Sequence, residues 1–180
     1  MFFKDYYSFL SEEDEEGNIS YGFITDYGFV YVVYFNVNEY TPYVEDFSTL
    51  LQDGYAFGFN RIRPNKHQKN SADPKVFSTI HQILLDFFKD KGNNTVLLYH
   101  CDDSDNKQRG RNKLFNDWNV NYKAQPDQLL VKHSVEVDVP RKDHLRTVYL
   151  GYIISNQNPE SDKIAQQFED FAVALIRPKD

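Results

Sequence analysis

The stretch from Asp73 to Cys101 constrains the fold more than any other part of the chain. Asp73-Pro74 reads as a helix N-cap followed by proline at the first helical position, where a missing N–H costs nothing. Val76, Phe77, Ile80, Ile83, Leu84, Phe87 and Phe88 then recur at helical spacing and form one apolar stripe. Lys89 and Lys91 sit in the last turn, and Gly92 suits the residue that ends a helix. Thr95 to Cys101 follows as a strand that is apolar on both faces. Before the helix, Tyr55, Phe57 and Phe59 alternate with Ala56 and Gly58 in a strand ending near Ile62. A strand, a helix and a strand predict a right-handed crossover with the two strands parallel.

The flanking segments add to this unit. Phe3, Tyr6, Tyr7 and Leu10 fall at i, i+3, i+4 and i+7, which predicts a short N-terminal helix. Ser11 to Asn18 is acidic, contains Gly17 and reads as a loop. Tyr21–Tyr27 and Phe29–Val37 read as strands joined by the tight turn Asp26-Tyr27-Gly28. The second of them is apolar on both faces, as a central strand covered from both sides would be. Glu39 to Asp53 fits a short helix or a packed loop, and Arg63 to Ala72 a polar loop. A helix is expected from near Asp105 to near Trp118. Leu129–Asp138 and Arg146–Ser155 alternate cleanly and predict a long hairpin joined by Val139 to Leu145. Ile164, Ala165, Phe168, Phe171, Ala172 and Leu175 place a last helix after Ser161. The expectation is a single α+β domain over residues 1–180, with a mixed sheet of about six strands and about three to four helices.

Composition narrows the setting. Hydrophobic residues make up 41% and aromatics 16% of the 180 residues, which supports a packed core rather than a disordered chain. No apolar run approaches the roughly 20 residues that span a bilayer. Lys4 and Asp5 interrupt the aromatic N-terminus, so it does not read as a signal peptide. The single cysteine, Cys101, excludes an internal disulfide and points to a reducing compartment, hence the cytoplasm. The net charge of −7 argues against nucleic acid as a general partner, but it is unevenly spread. Residues 1–60 hold eleven acids against one base, whereas residues 61–113 hold eleven bases against six acids. Such an asymmetry suits contact with a protein partner, and the basic middle suits an anion.

Two groups of residues are candidates for a site. His100, Asp102, Asp103 and Asp105 cluster where a strand ends and a helix begins, the edge that ligands favour in open parallel sheets. Arg109 and Arg111 lie on the helix that follows. Arg111 stands one turn before Phe115 and two before Trp118, so it points partly inward and can pair with Asp102 or Asp105. Acids at a helix start also satisfy its free amides without any ligand. The three aspartates could hold magnesium, although hard-cation sites usually gather ligands from more than one segment. Cys101 follows His100 directly, and adjacent strand residues point to opposite faces, so the two cannot form a thiolate–imidazole pair. A buried, inert thiol is expected. The second group is Arg61, Arg63, Lys66, His67 and Lys69, in and before the loop that leads to the long helix, whose N-terminus suits an anion. No Gly-x-Ser-x-Gly, Cys-x-x-Cys, His-Glu-x-x-His or phosphate-binding glycine motif is present.

The order of elements between about Tyr21 and Ser155 resembles the second half of the GNAT acetyltransferase fold. Gly58-Phe59-Asn60-Arg61-Ile62-Arg63-Pro64 looks like the strand that leads to that family's acetyl-CoA loop. Arg111-Asn112-Lys113-Leu114-Phe115-Asn116-Asp117-Trp118 looks like its late helix. The resemblance implies acetyl-CoA as cofactor and N-acyl transfer as activity. The working parts depart from the family's pattern: Lys66 to Ala72 contains no glycine, and Phe115 stands where the family has a tyrosine acid. The segment from Cys101-Asp102-x-x-Asp105 through Arg111 to Trp118 also resembles small bacterial domains of unknown function.

These readings lead to an expected function without catalysis or cofactor. The chain reads as a binding or protein-interaction domain of a bacterial cytoplasmic protein, of the kind found among immunity proteins, antitoxins and defence-associated adaptors. The alternatives are an acetyl-CoA-dependent acyltransferase using Tyr122 or another tyrosine as its acid, and a metal-dependent phosphoesterase or nuclease at Asp102, Asp103 and Asp105.

Overall fold

The computed structural model describes residues 5–63, 73–101, 129–140 and 145–176, without the side chains of 139, 140, 146 and 176. Seven strands form one mixed sheet: β1 (Phe9–Glu13), β2 (Ile19–Ile24), β3 (Val30–Asn36), β4 (Gly54–Ile62), β5 (Val96–Cys101), β6 (Leu130–Pro140) and β7 (Leu145–Ser155). Their spatial order is β1-β2-β3-β4-β5-β7-β6. Every neighbouring pair is antiparallel except β4 and β5, which run parallel across the connection that contains the long helix. The helices described are α1 (Ser48–Leu51), α2 (Pro74–Lys91) and α3 (Ser161–Ile176). The α+β class and the parallel pair are as the sequence leads one to expect.

Helix α2 forms for the reasons its sequence gives. The Asp73 carboxylate accepts from the Lys75 N–H at 3.1 Å, proline fills the first turn, and the Gly92 N–H bonds the Phe88 carbonyl. Gly92 has φ of 93°, a conformation costly for any residue with a Cβ. The stripe of α2 packs on one face of the sheet against Tyr21, Phe23, Val33, Phe35, Phe57, Leu97, Tyr99, Tyr149 and Ile153. Phe35 and Phe87 stack with ring centres 3.8 Å apart, and Phe57 stacks on Phe35 at 5.5 Å. A second core lies on the opposite face, where α1 and α3 cover Val96, Leu98, Val148, Leu150, Tyr152 and Ile154. There Phe171 is ringed by Tyr40, Tyr43 and Phe47, with centres 5.4, 5.7 and 5.5 Å away.

Among the described residues, the second core reaches only the strands β5, β6 and β7. On the β1–β4 half, the face away from α2 carries Leu10, Gly22, Ile24, Val30, Val32, Tyr34, Gly58 and Ile62, and neither core includes any of them. Leu10, Ile24 and Ile62 are 83%, 64% and 54% exposed. The expectation that β3 is covered on both sides is therefore corrected. Its Val33 and Phe35 are fully buried, while Val30, Val32 and Tyr34 are half-buried. An apolar run shows that a strand tolerates cover on both faces, not that it receives it.

The N-terminus also differs from expectation. No helix lies between Asp5 and Leu10; Phe9–Glu13 is a strand paired with β2, and the turn after it is confined to Asp14–Asn18. The helical spacing of Tyr6, Tyr7 and Leu10 is overridden by tertiary bonds. The Tyr7 N–H donates to Thr79 Oγ1 at 2.9 Å, its hydroxyl donates to Asp73 Oδ2 at 2.7 Å, and the Asp26 N–H donates to that same hydroxyl at 3.2 Å. Lys75 Nζ lies 4.5 Å from the centre of the Tyr7 ring. The ambiguous segment after β3 resolves into a 3-10 turn at Thr41–Tyr43 and the single-turn α1, both packed on α3. The helix expected from Asp105 to Trp118 lies outside the described residues.

Candidate functional site

The parallel pair is short. It joins Gly54 to Val96, Tyr55 to Leu97 and Ala56 to Leu98, and there it stops. Beyond it β4 stays with β3 as far as Ile62, and β5 stays with β7 as far as Cys101. The sheet therefore parts between Phe57–Ile62 and Tyr99–Cys101. Because β4 and β5 are parallel, this parting opens at their carboxyl ends, where open sheets of this kind favour ligands.

The sequence candidates distribute around this end. Arg61, Arg63 and His100 all stand at it and are exposed. Arg61 lies with its guanidinium carbon 5.2 Å from the centre of the Phe29 ring. His100 and Cys101 point to opposite faces as expected, the histidine into solvent and the thiol, 2% exposed, into the core under α2. Asp102, Asp103, Asp105, Arg109 and Arg111 lie outside the described residues, as do Lys66, His67 and Lys69, Phe115 and Tyr122. Among the described residues, no three His, Cys, Asp or Glu side chains come together to hold a metal ion.

A group that the sequence reading missed lies across β5, β7 and β6 on the α2 face. Tyr99, Gly151 and Ser134 form one row across the three strands. The phenol end of Tyr99 covers Gly151, where a Cβ would overlap it, and its hydroxyl comes beside Ser134. The Lys132 Nζ sits 5.4 Å from the centre of the same ring. Burial pushes the Lys132 ammonium down to about 8, and the nearby Cys101 thiol acts weakly in the other direction. Burial likewise pushes the Tyr99 phenol above its ordinary range. The one signal in the sequence was Gly151, a glycine inside an otherwise apolar strand, which marks close approach of another group.

The topology also sorts charge. The β1–β2 turn with Glu13, Asp14, Glu15 and Glu16, the β3–β4 connection with Glu39, Glu45 and Asp46, and Asp53 all lie at the end of the sheet opposite His100. The Asp14 carboxyl is held below its usual range by bonds from the Asn18 side chain and main chain. Lys91 answers this charge at 3.9 Å from Glu13 and 3.3 Å from Asp90. A cleft of about 460 Å³ opens at the acidic end, lined by Glu39, Tyr40, Asp53, Tyr55, Lys91 and Thr95. It is thus at the amino ends of β4 and β5, away from the parting. The other end carries Arg61, Arg63, Lys75 and His100 together with Asp26 and Asp73, Asp26 lying 3.4 Å from Lys75.

A model of a family of unknown function, DUF6169, matches residues 72–170. The chain belongs to that family. The DUF6169 match begins just before the α2 cap and ends within α3, so it takes in α2, β5, β6 and β7. Among the described elements, the half of the sheet covered on both faces is thus the DUF6169 part, and the half covered by α2 alone precedes it. No curated protein and no solved structure matches the chain. No described helix is long and apolar enough to cross a membrane.

Proposed function

We propose that this chain is a non-catalytic binding domain that engages a protein partner through the open face of β1–β4. The observation that carries this reading is the exposure of Leu10, Ile24 and Ile62 on one sheet face. Contiguous apolar surface of this kind marks interaction sites in soluble proteins. The acidic turn and connection at one end of the face suit a partner with basic residues beside an apolar patch, and predict binding that weakens with salt. A bacterial immunity protein, antitoxin or defence adaptor works by such a contact, and the single buried thiol fits a cytoplasmic setting. The test is affinity capture from the source cell with the wild-type chain and with Ile24→Asp. A protein retained by the first, lost with the second and released by salt supports the reading. Equal capture by both, or no capture, removes it.

A second reading is favoured by the parting of β4 and β5. The resemblance of the order of elements to GNAT acetyltransferases implies acetyl-CoA as the occupant of this parting. The glycine-free loop and Phe115 favour binding without transfer. Acetyl-CoA that binds only the native state raises the melting temperature; an unchanged melting temperature at millimolar acetyl-CoA sinks this reading.

A further inference from the structure

We propose that a partner protein adds an extended, basic segment to the outer side of β1, as a further antiparallel strand of the sheet. This pairing rests on the reading of the chain as a partner-binding domain and names how one part of the partner is held. Among the described residues β1 is one edge of the sheet and pairs only with β2, in five consecutive pairs from Phe9–Phe23 to Glu13–Ile19. Beyond Phe9 each of its residues is exposed. Edge strands are commonly closed by a proline, a bulge or a covering loop. Phe9–Glu13 has neither proline nor bulge, and its Leu10 is 83% exposed.

The groups that would hold the segment follow from the ladder. The Asp14 N–H bonds the Asn18 carbonyl at 3.0 Å, one step beyond the Glu13–Ile19 pair. Antiparallel ladders alternate, so the main chain of Glu12 is bonded to Ser20 and that of Leu10 to Gly22. The other side of β2 agrees. The Thr25 N–H bonds the Phe29 carbonyl at 2.9 Å, so Phe23, Tyr21 and Ile19 are bonded to β3 and not to β1. The N–H and C=O of Phe9, Ser11 and Glu13 are therefore directed outward, and among the described residues no group bonds them. An added strand is held through such main-chain groups and selected through alternate side chains.

The side chains of β1 specify the segment. Leu10 and Glu12 stand on the open face, two residues apart. The segment thus sets an apolar residue opposite the first and a lysine or arginine opposite the second. Glu12 begins five consecutive acids, Glu12 to Glu16, all exposed. Glu13 is answered by Lys91 at 3.9 Å, but among the described residues no cation pairs with Glu12, Glu15 or Glu16. A second copy joined through its own β1 supplies no base, because residues 5–24 hold none. The charge selects a different, basic chain.

The probe is the capped peptide Thr-Lys-Thr-Lys-Thr-Leu-Thr. Laid antiparallel on β1, it sets its leucine opposite Leu10 and its lysines opposite Glu12 and beside Asp14. It is titrated into the full chain, and amide hydrogen exchange is read residue by residue by NMR. In the free chain Phe9, Ser11 and Glu13 should exchange fast, and Leu10 and Glu12 slowly. At about ten times its Kd the peptide should slow the first three by about tenfold. Ser11→Pro removes an outward donor that β2 does not use; it and Glu12→Lys should each weaken the peptide by about tenfold. A peptide with glutamate in place of lysine should not bind. Failure of the lysine peptide to bind, or binding that leaves the three amides fast, overturns the proposal. So does slow exchange of the three in the chain alone at high concentration, which would mean that a second copy holds the edge. Capture from the source cell separates the edge from the face. A protein lost with Ile24→Asp but kept by Ser11→Pro overturns the edge pairing and leaves the face reading standing. A wild-type chain that captures nothing removes the face reading, while the titration decides the edge on its own. Circular dichroism confirms that each variant is folded, and the exchange pattern of the wild-type chain stands without them.

Discussion

The β5–β7 half and the β1–β4 half share one sheet and one helix but are finished differently. Strands β5 and β7 carry α2 on one face and α1 with α3 on the other, and Val96, Leu97, Leu98, Leu150, Ile153 and Ile154 are all buried. Among the described elements, the β1–β4 strands carry α2 alone. Their second face keeps apolar side chains in solvent although the strands themselves are well packed through Phe23, Val33, Phe35 and Phe57. The difference teaches that apolar content and cover are separate quantities. In the first half apolar residues on both faces contribute to stability, and in the second one face remains available for contact.

The largest expected effect comes from removing the second cover. Phe171 is 2% exposed and meets Tyr40, Tyr43 and Phe47 edge-on, so it joins α3 to the β3–β4 connection. Phe171→Ala should cost about 3–5 kcal/mol, the usual range for a buried phenylalanine truncated in a close-packed core. Urea unfolding measures it. A loss under about 1 kcal/mol, well below that range, would mean that the second core contributes little and that the two halves are alike.

Gly151 gives the next effect. A side chain there meets the Tyr99 ring, which is 2% exposed and has no room to withdraw. Gly151→Val should therefore destabilise by about 1–3 kcal/mol through overpacking. Gly58 has a matching partner, for its Cβ would overlap the Tyr34 ring opposite it. Tyr34 is half-buried whereas Tyr99 is buried, so Gly58→Val should cost less than Gly151→Val. Equal costs would show that Tyr34 on the second face of β1–β4 is held as firmly as Tyr99 is under α2.

Tyr7 tests how the open half is tied to α2. Its hydroxyl bonds Asp73 and receives the Asp26 N–H, and Tyr7→Phe should cost about 1–2 kcal/mol at pH 7. Burial pushes the Tyr7 phenol up to about 12 from an ordinary 10.0. A phenol whose native pKa is raised keeps its proton where the unfolded chain loses it. The contribution is therefore complete below pH 10 and lost as the pH rises through about 12. The stability gap between wild type and Tyr7→Phe should close over that interval; a gap that persists above it would contradict the assignment.

Legibility in the sequence followed how local each cause is. Helix α2 could be read because its cap, its proline, its stripe and its terminal glycine are all within one segment. The β6–β7 hairpin could be read because both strands alternate and are consecutive. The N-terminal segment has helical spacing yet forms no helix, because Tyr7 is held by Thr79, Asp73 and Asp26, all far away in sequence. The Tyr99–Ser134–Lys132 group was invisible because it is assembled across three strands, and the parting of β4 and β5 because pairing length is not encoded in either strand alone. Of the expected site, Arg61, Arg63 and His100 share one end of the sheet, which the parallel order of β4 and β5 already implied.

The smallest effect is the one that separates the halves most sharply. Gly22 lies in β2 on the open face, and a Cβ built on it meets nothing within 4 Å. Its strand conformation is open to any residue, and valine favours strands more than glycine does. Gly22→Val should change stability by less than about 0.5 kcal/mol or raise it slightly, since the unfolded chain loses freedom while the folded one loses no contact. The same substitution at Gly151 is expected to destabilise, so two glycines on one sheet respond differently for one reason, the presence or absence of a covering ring. Thermal unfolding of both variants side by side decides it. If Gly22→Val destabilised as much as Gly151→Val, the face of β1–β4 would be covered in solution, and the partner surface proposed for it would be closed.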